Sequence, residues 1–141
     1  MSELLTNEMK ERLLAEAWEA REKAYVPYSN FAVGAALLTV EGKVFHGCNI
    51  ENSSYGLTNC AERSAIFSAV SAGFSDFAAL AVVCDSPGPC SPCGSCRQVI
   101  AEFGDDILLL LANKKGDLLE TTISDLLPGY FKCEDMMPGA E

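Results

Sequence analysis

Four cysteines and one glutamate carry the chemistry most legible in this sequence. Cys90, Cys93 and Cys96 follow one another at three-residue intervals in "PCSPCGSCRQ", a stretch too polar and too rich in Pro and Gly for all three thiols to serve packing. Proline suits the first position of a helix, and the residue before a proline is pushed out of helical conformation. A helix starting after Pro92 puts Cys93 and Cys96 on one face of its first turn. Two thiolates there can chelate one ion, and the helix N-terminus stabilises their charge. Cys90 lies beyond the proline in extended chain and is expected to be a spare. The better third ligand is Cys60 in "TNCAERSA", which also opens a helix and has Glu62 beside it. Residues two apart on a regular helix point to different faces. Cys60 and Glu62 therefore converge only if Cys60 sits at the very start, with Asn59 as a candidate cap.

Three thiolates with one open position make a catalytic zinc site, whereas four closed ligands make a structural one. Glu62 then reads as a carboxylate beside the open position. A first-turn glutamate seen alone would be an electrostatic partner of the helix end, but Cys-x-Glu paired with a downstream Pro-Cys-x-x-Cys outweighs that reading. The one histidine, His46, lies in a strand-like segment and reads as a surface or packing residue.

The elements that must position these residues follow from periodicity. Apolar residues at helical spacing predict an amphipathic helix over 7–25, ended by the turn chemistry of "VPYSN". "FAVGAALLTV" and "KVFHGCNI" flank Glu41-Gly42 and predict a hairpin. Residues 60–72 predict a second helix and 94–103 a third. "FAALAVVCD" and "DILLLLA" are near-continuous apolar runs, as buried strands are. "LLETT" reads as a weaker strand and "ISDLLP" as a short closing helix. This order predicts an α/β fold, a three-layer α/β/α sandwich with a mixed, mostly five-stranded sheet and at least one parallel pair. The 141 residues are expected to form a single domain, 1–141.

The formal net charge is −10, which argues against nucleic acid and against an anionic membrane as partners, since both need basic surface. The N-terminus lacks the apolar stretch of a signal peptide and no run approaches the roughly 20 residues that span a bilayer, so a cytoplasmic location is expected. Seven cysteines in a reducing compartment point to metal or chemistry sooner than to disulfides. Cys48 and Cys84, at strand ends, read as buried small hydrophobes, and Cys133 in the tail is silent on function.

"VPYSNFAVGAALLT", "GCNIENSSYGLTNCAERSAI", "SPCGSCRQVIAEFG" and "LLPGYF" together span nearly the whole chain. In this order they resemble the short, all-cysteine, zinc-dependent cytidine deaminases, whose nucleobase-acting relatives use the same chemistry. The resemblance implies one Zn²⁺ per chain held by Cys60, Cys93 and Cys96. Glu62 would shuttle protons while the amino group of cytidine or deoxycytidine leaves as ammonia, a step of pyrimidine salvage. Arg63 would offset the excess thiolate charge, with Arg97 a lesser contributor. Asn49 and Glu51 would hydrogen-bond the ribose, and Glu51 would favour a hydroxyl over a phosphate. Phe31 would pack against the base and Ala61 offer backbone groups to its edge. Phe131, Ser53 and Tyr55 would reach a neighbouring subunit's pocket, which implies a homotetramer with sites at subunit interfaces.

Three other readings compete. An iron–sulfur or structural metal module would use the same cysteines but leaves Glu62, Asn49 and Glu51 unexplained. A polynucleotide-editing deaminase needs a strand-binding groove that so acidic a chain does not suggest. A deaminase for a cytosine-containing antibiotic shares both metal motifs, leaving "NIEN" and "LLPGYF" to separate it from a nucleoside enzyme.

Overall fold

Phe77–Cys84 is apolar at all eight positions and buried along its whole length, so it lies at the centre of a sheet covered on both faces. We number it β3. The computed structural model describes residues 4–132. Five strands, β1 (Val33–Thr39), β2 (Val44–Cys48), β3, β4 (Leu108–Asn113) and β5 (Leu118–Thr121), form one sheet in the order β2-β1-β3-β4-β5. Only β3 and β4 are parallel; the other neighbouring pairs are antiparallel. Strand β5, mostly exposed, closes one edge.

One face of the sheet is covered by α1 (Asn7–Arg21), through Leu13 and Ala17 against Ala36, Leu38, Ala81 and Leu110. The other carries α2 (Ala61–Ser71), α3 (Gly94–Phe103) and the short α4 (Ile123–Leu126), through Ile66, Ile100 and Ile123 against Leu37, Leu80, Leu109 and Leu111. The expected three-layer sandwich with a mixed five-stranded sheet is therefore present. Among the described residues no helix is long and apolar enough to cross a membrane.

Helix α1 starts at its expected place, where Thr6 caps it by accepting a hydrogen bond from the Met9 N–H at 3.1 Å. It ends four residues before position 25. Tyr25 is instead drawn into backbone pairing with the segment after β2: its N–H donates to the Asn49 carbonyl (3.0 Å) and its carbonyl accepts from the Glu51 N–H (2.9 Å). Long-range pairing thus overrides helical spacing there. A second departure concerns cysteine. Cys84, at the end of β3, and Cys90 are joined by a disulfide. Cys84 is buried as expected and Cys90 is outside the sulfur triad as expected, but the disulfide between them was not anticipated; the fold brings their Cα atoms to 5.7 Å, well within bridging reach. Cys133 lies outside the described residues.

The strand directions decide where a site can form. The end of β3, the end of β4, the end of β2 and the start of β1 all lie at one edge of the sheet. The chain leaving β2 runs through 49–60 into α2, and the chain leaving β3 runs through 85–93 into α3. Both helices thus begin at the same edge, the place where α/β sheets assemble sites.

Candidate active site

Cys60 and Cys93 are the N-cap residues of α2 and α3, each with extended backbone and neither using its side chain to cap the helix. Asn59 is not the cap; its backbone pairs with Ile50 and its side chain bonds Ser64. A cysteine at the cap position keeps its thiol free while the first-turn N–H groups place positive potential beside it. Cys96 lies in the first turn of α3, fully buried.

The three sulfurs lie within 4.8 Å of one another, and those of Cys60 and Cys93 are 3.8 Å apart. Tetrahedral zinc with Zn–S bonds of about 2.3 Å requires sulfurs about 3.8 Å apart, so the triad fits such an ion, and among the described residues no fourth Cys, His, Asp or Glu joins it. The thiols already share charge unequally. Hydrogen bonding from Cys96, then from Arg63, draws the Cys60 thiol down to about 5 despite burial. Cys96 is pushed up by that same contact with Cys60 and by burial. Arg63 places Nη2 3.1 Å from the Cys60 sulfur and 3.4 Å from the Thr58 carbonyl, where its charge offsets the thiolate. Arg97 does not reach the sulfurs. It clamps the ligand loop, donating to the Pro92 carbonyl (2.9 Å), the Ser91 hydroxyl (2.9 Å) and the Leu126 carbonyl (2.7 Å).

Glu62 follows Cys60 by two residues and lines the same cleft, of about 180 Å³, together with Phe31, Asn49, Thr58, Ala61 and Cys93. It is 5% exposed. Burial first, then the neighbouring Cys60 thiolate, pushes its carboxyl up to about 7, against the pull of its own backbone N–H. A wider cleft of about 470 Å³ is lined by Tyr28, Ser29, Glu51, Tyr55 and Thr58. Thr58 borders both.

Asn49 holds its own loop. Its Oδ1 accepts from the Val33 N–H (2.9 Å) and its Nδ2 donates to the Phe31 carbonyl (2.8 Å). An amide has two donors and two lone pairs at its ends, so each end keeps capacity for a ligand hydroxyl. Glu51 accepts from the Tyr28 and Ser29 N–H groups (3.0 and 3.1 Å) and from the Ser29 hydroxyl. The Ser29 hydroxyl first among these bonds keeps the Glu51 carboxyl below its ordinary range, ionised and still able to accept from a sugar.

The remaining expected residues are dispersed. Ser53 is exposed and is not among the residues lining either cleft. Tyr55 is exposed at the rim of the wider cleft, edge-on to Tyr28 at 6.3 Å. Phe131 is exposed on another part of the surface, beside Gln98 and Tyr130, and its carbonyl accepts from the Gln98 amide (2.9 Å). His46 is apart from the sulfurs, bonding Glu16 of α1 at 2.8 Å. Sequence reasoning missed Thr58, Ser29 and the clamp made by Arg97. "VPYSN" marked a turn, but nothing local says that the turn folds onto Glu51.

Comparison with known proteins agrees with this geometry. Residues 7–111 match the family model for the cytidine and deoxycytidylate deaminase zinc-binding region. A cytidine deaminase of Sporosarcina psychrophila is 61% identical over 132 residues, 93% of this chain and 97% of that protein. One from Halalkalibacterium halodurans is 57% identical, over 90% of this chain and 97% of the relative. The crystal structure of cytidine deaminase from Burkholderia pseudomallei superposes with a TM-score of 0.84 at 55% identity, covering 90% of this chain and all of that one.

Proposed function

The chain belongs to the cytidine and deoxycytidylate deaminase zinc-binding family, and on that premise we propose that it hydrolyses the amino group of free cytidine and deoxycytidine, giving uridine or deoxyuridine and ammonia. The observation that carries the proposal is the buried carboxylate of Glu62 beside three sulfurs spaced for one tetrahedral ion. A zinc ion held by Cys60, Cys93 and Cys96 would acidify water at its open position. Glu62 is the proton carrier: buried and in the same cleft, it can take a proton from water and hand it to the ring nitrogen and then to the departing ammonia. Arg63 and the two helix N-termini balance the thiolate charge. Phe31 flanks the base and the Ala61 backbone meets its edge.

Asn49 and Glu51 take the sugar hydroxyls through their spare capacity. The ionised Glu51 repels a phosphate, so the substrate is a nucleoside and not a nucleotide. Both ribo- and deoxyribonucleosides are expected substrates, because a site gripping a hydroxyl common to the two need not sense the other. Phe131, Ser53 and Tyr55 lie exposed and outside the metal cleft, a placement that suits side chains serving a neighbouring subunit of a homotetramer. A cytoplasmic single-domain enzyme of pyrimidine salvage is the setting that fits.

Loss of ultraviolet absorbance tests the proposal directly. Cytidine and deoxycytidine are expected to be consumed, while free cytosine and cytidine monophosphate are not. Equal turnover of the monophosphate would overturn the role given to Glu51, and inertness toward both nucleosides would overturn the function. A blasticidin-S deaminase from Bacillus cereus is also 38% identical over 104 residues, so the antibiotic belongs in the same assay as a competing substrate.

A further inference from the structure

We propose that Cys84 and Cys90 form a reversible redox site, at which a low-molecular-weight disulfide oxidises two protein thiols to a cross-link that fastens the loop leading into the zinc ligands Cys93 and Cys96. This inference rests on the metal triad and is independent of which substrate the enzyme takes. Cys84 is the last residue of β3 and is anchored in the sheet opposite Val33 and Asn113. Cys90, six positions on, is bonded to it and lines the wall of the metal cleft along with Cys60, Glu62 and Cys93. The cleft is therefore a route by which a small thiol can reach one sulfur of an otherwise buried pair.

The loop over 85–92 has a bond of its own, from the Ser86 hydroxyl to the Gly88 carbonyl (2.6 Å), and is tied to the rest of the fold at its start, its middle and its end. At its start the Asn113 amide donates to the Ser86 and Pro87 carbonyls (3.0 and 3.3 Å). At its end Arg97 holds Ser91 and Pro92 (2.9 Å each). Between them the sulfur bridge ties Cys90 to the central strand. Side chains maintain the two ends whatever the redox state, whereas the middle depends on the bridge. Cys93, three residues beyond Cys90, is the most exposed of the three zinc-site sulfur residues. Its freedom to leave the triad is set by the loop that delivers it.

The exchange balances. The Cys90 thiolate attacks one sulfur of the small disulfide, forming a mixed disulfide and expelling one small thiolate. The Cys84 thiolate then attacks the Cys90 sulfur and expels the second. Two electrons pass from the protein to the small disulfide, and the two thiol protons end on the two small thiols. Reduction by two small thiols runs the same steps backward. In a reducing compartment such a bond is transient and responsive to oxidation, so oxidising conditions convert the chain to the fastened form.

The zinc-loaded protein, equilibrated with stepped ratios of reduced to oxidised glutathione, then quenched, alkylated and peptide-mapped, tests the pair. Cys84 and Cys90 are expected to lose alkylation together and to appear as one linked peptide pair two hydrogens lighter, with Cys60, Cys93 and Cys96 still alkylated. Alkylation of both at every ratio, stable glutathione adducts without the link, or links to a zinc-ligand cysteine would overturn the site. Zinc transfer to a chromogenic chelator tests the fastening. Transfer is expected to be at least about threefold slower from the linked form, a difference the entropy cost of freeing a loop readily supplies. The double variant Cys84→Ala, Cys90→Ala is expected to release zinc at the reduced protein's rate in either buffer. Equal rates from linked and reduced wild type would overturn it.

Discussion

At the scale of single residues, the proposed mechanism depends on a carboxylate kept out of water. Among the described residues lining the cleft, Glu62 is the one acidic side chain, and its burial beside the sulfur triad suits a group proposed both to accept and to donate a proton. Glu62→Gln is expected to keep the shape and the zinc while slowing turnover by roughly 100- to 10,000-fold, the usual worth of a general acid–base group. Metal analysis beside steady-state rates checks both halves. The metal-free chain carries a second consequence. Folded Glu62 titrates at about 7, above its ordinary 4.5, so the folded state binds this proton more tightly than the unfolded one. Its contribution to stability is full below about 4.5 and is lost as pH rises through 7. Cys60, drawn down to about 5, contributes with the opposite slope. Denaturant titrations at pH 5 and 8 should therefore compare wild type with Glu62→Gln: the variant is expected to gain relative stability at pH 8.

At the scale of elements, two close approaches bring the helices down onto the sheet. A Cβ on Gly47 of β2 would collide with the Ala61 carbonyl and the Ala65 backbone nitrogen, and one on Gly34 of β1 with the Ala17 carbonyl. Glycine is needed at both places for the absence of a side chain, not for its dihedral freedom. Gly47 seats the first turn of α2, and with it Cys60 and Glu62. Gly47→Ala is expected to cost about 1–3 kcal/mol, as overpacking does, and to speed zinc loss to a chelator because one ligand is displaced from the other two. Chemical denaturation and chelator kinetics measure these separately. A variant that kept both would show that α2 is not set by this contact.

At the scale of the whole molecule, the wider cleft is open to solvent and the aromatic side chains Tyr28, Tyr55 and Phe131 stand exposed. In the proposed homotetramer these are the side chains that would meet a neighbouring chain. Light scattering is expected to give a mass of four chains. Phe131→Ala should preserve zinc and raise KM for cytidine roughly tenfold, equivalent to about 1.4 kcal/mol. A monomer of full activity would exclude shared sites.

Much of this architecture was legible without coordinates, because it is written in short-range patterns. The apolar runs at 77–85 and 106–112 had the length and composition typical of buried strands, and Cys-x-Glu with Pro-Cys-x-x-Cys marked two helix starts placed to share an ion. What local pattern could not supply was anything made between distant segments. Tyr25 kept helical spacing yet left α1 to pair with Asn49 and Glu51. Arg97 looked like a charge for the metal and became the clamp of a loop. Cys84 and Cys90 read as unrelated until the turn after β3 set them side by side. The sequence alone determined which residue types stand at ion-binding spacing and where a carboxylate accompanies them, since spacing and residue type decide what can bind an ion or carry a proton. Only the tertiary structure decided which of them touch, because strand direction and loop closure are settled by the whole core at once.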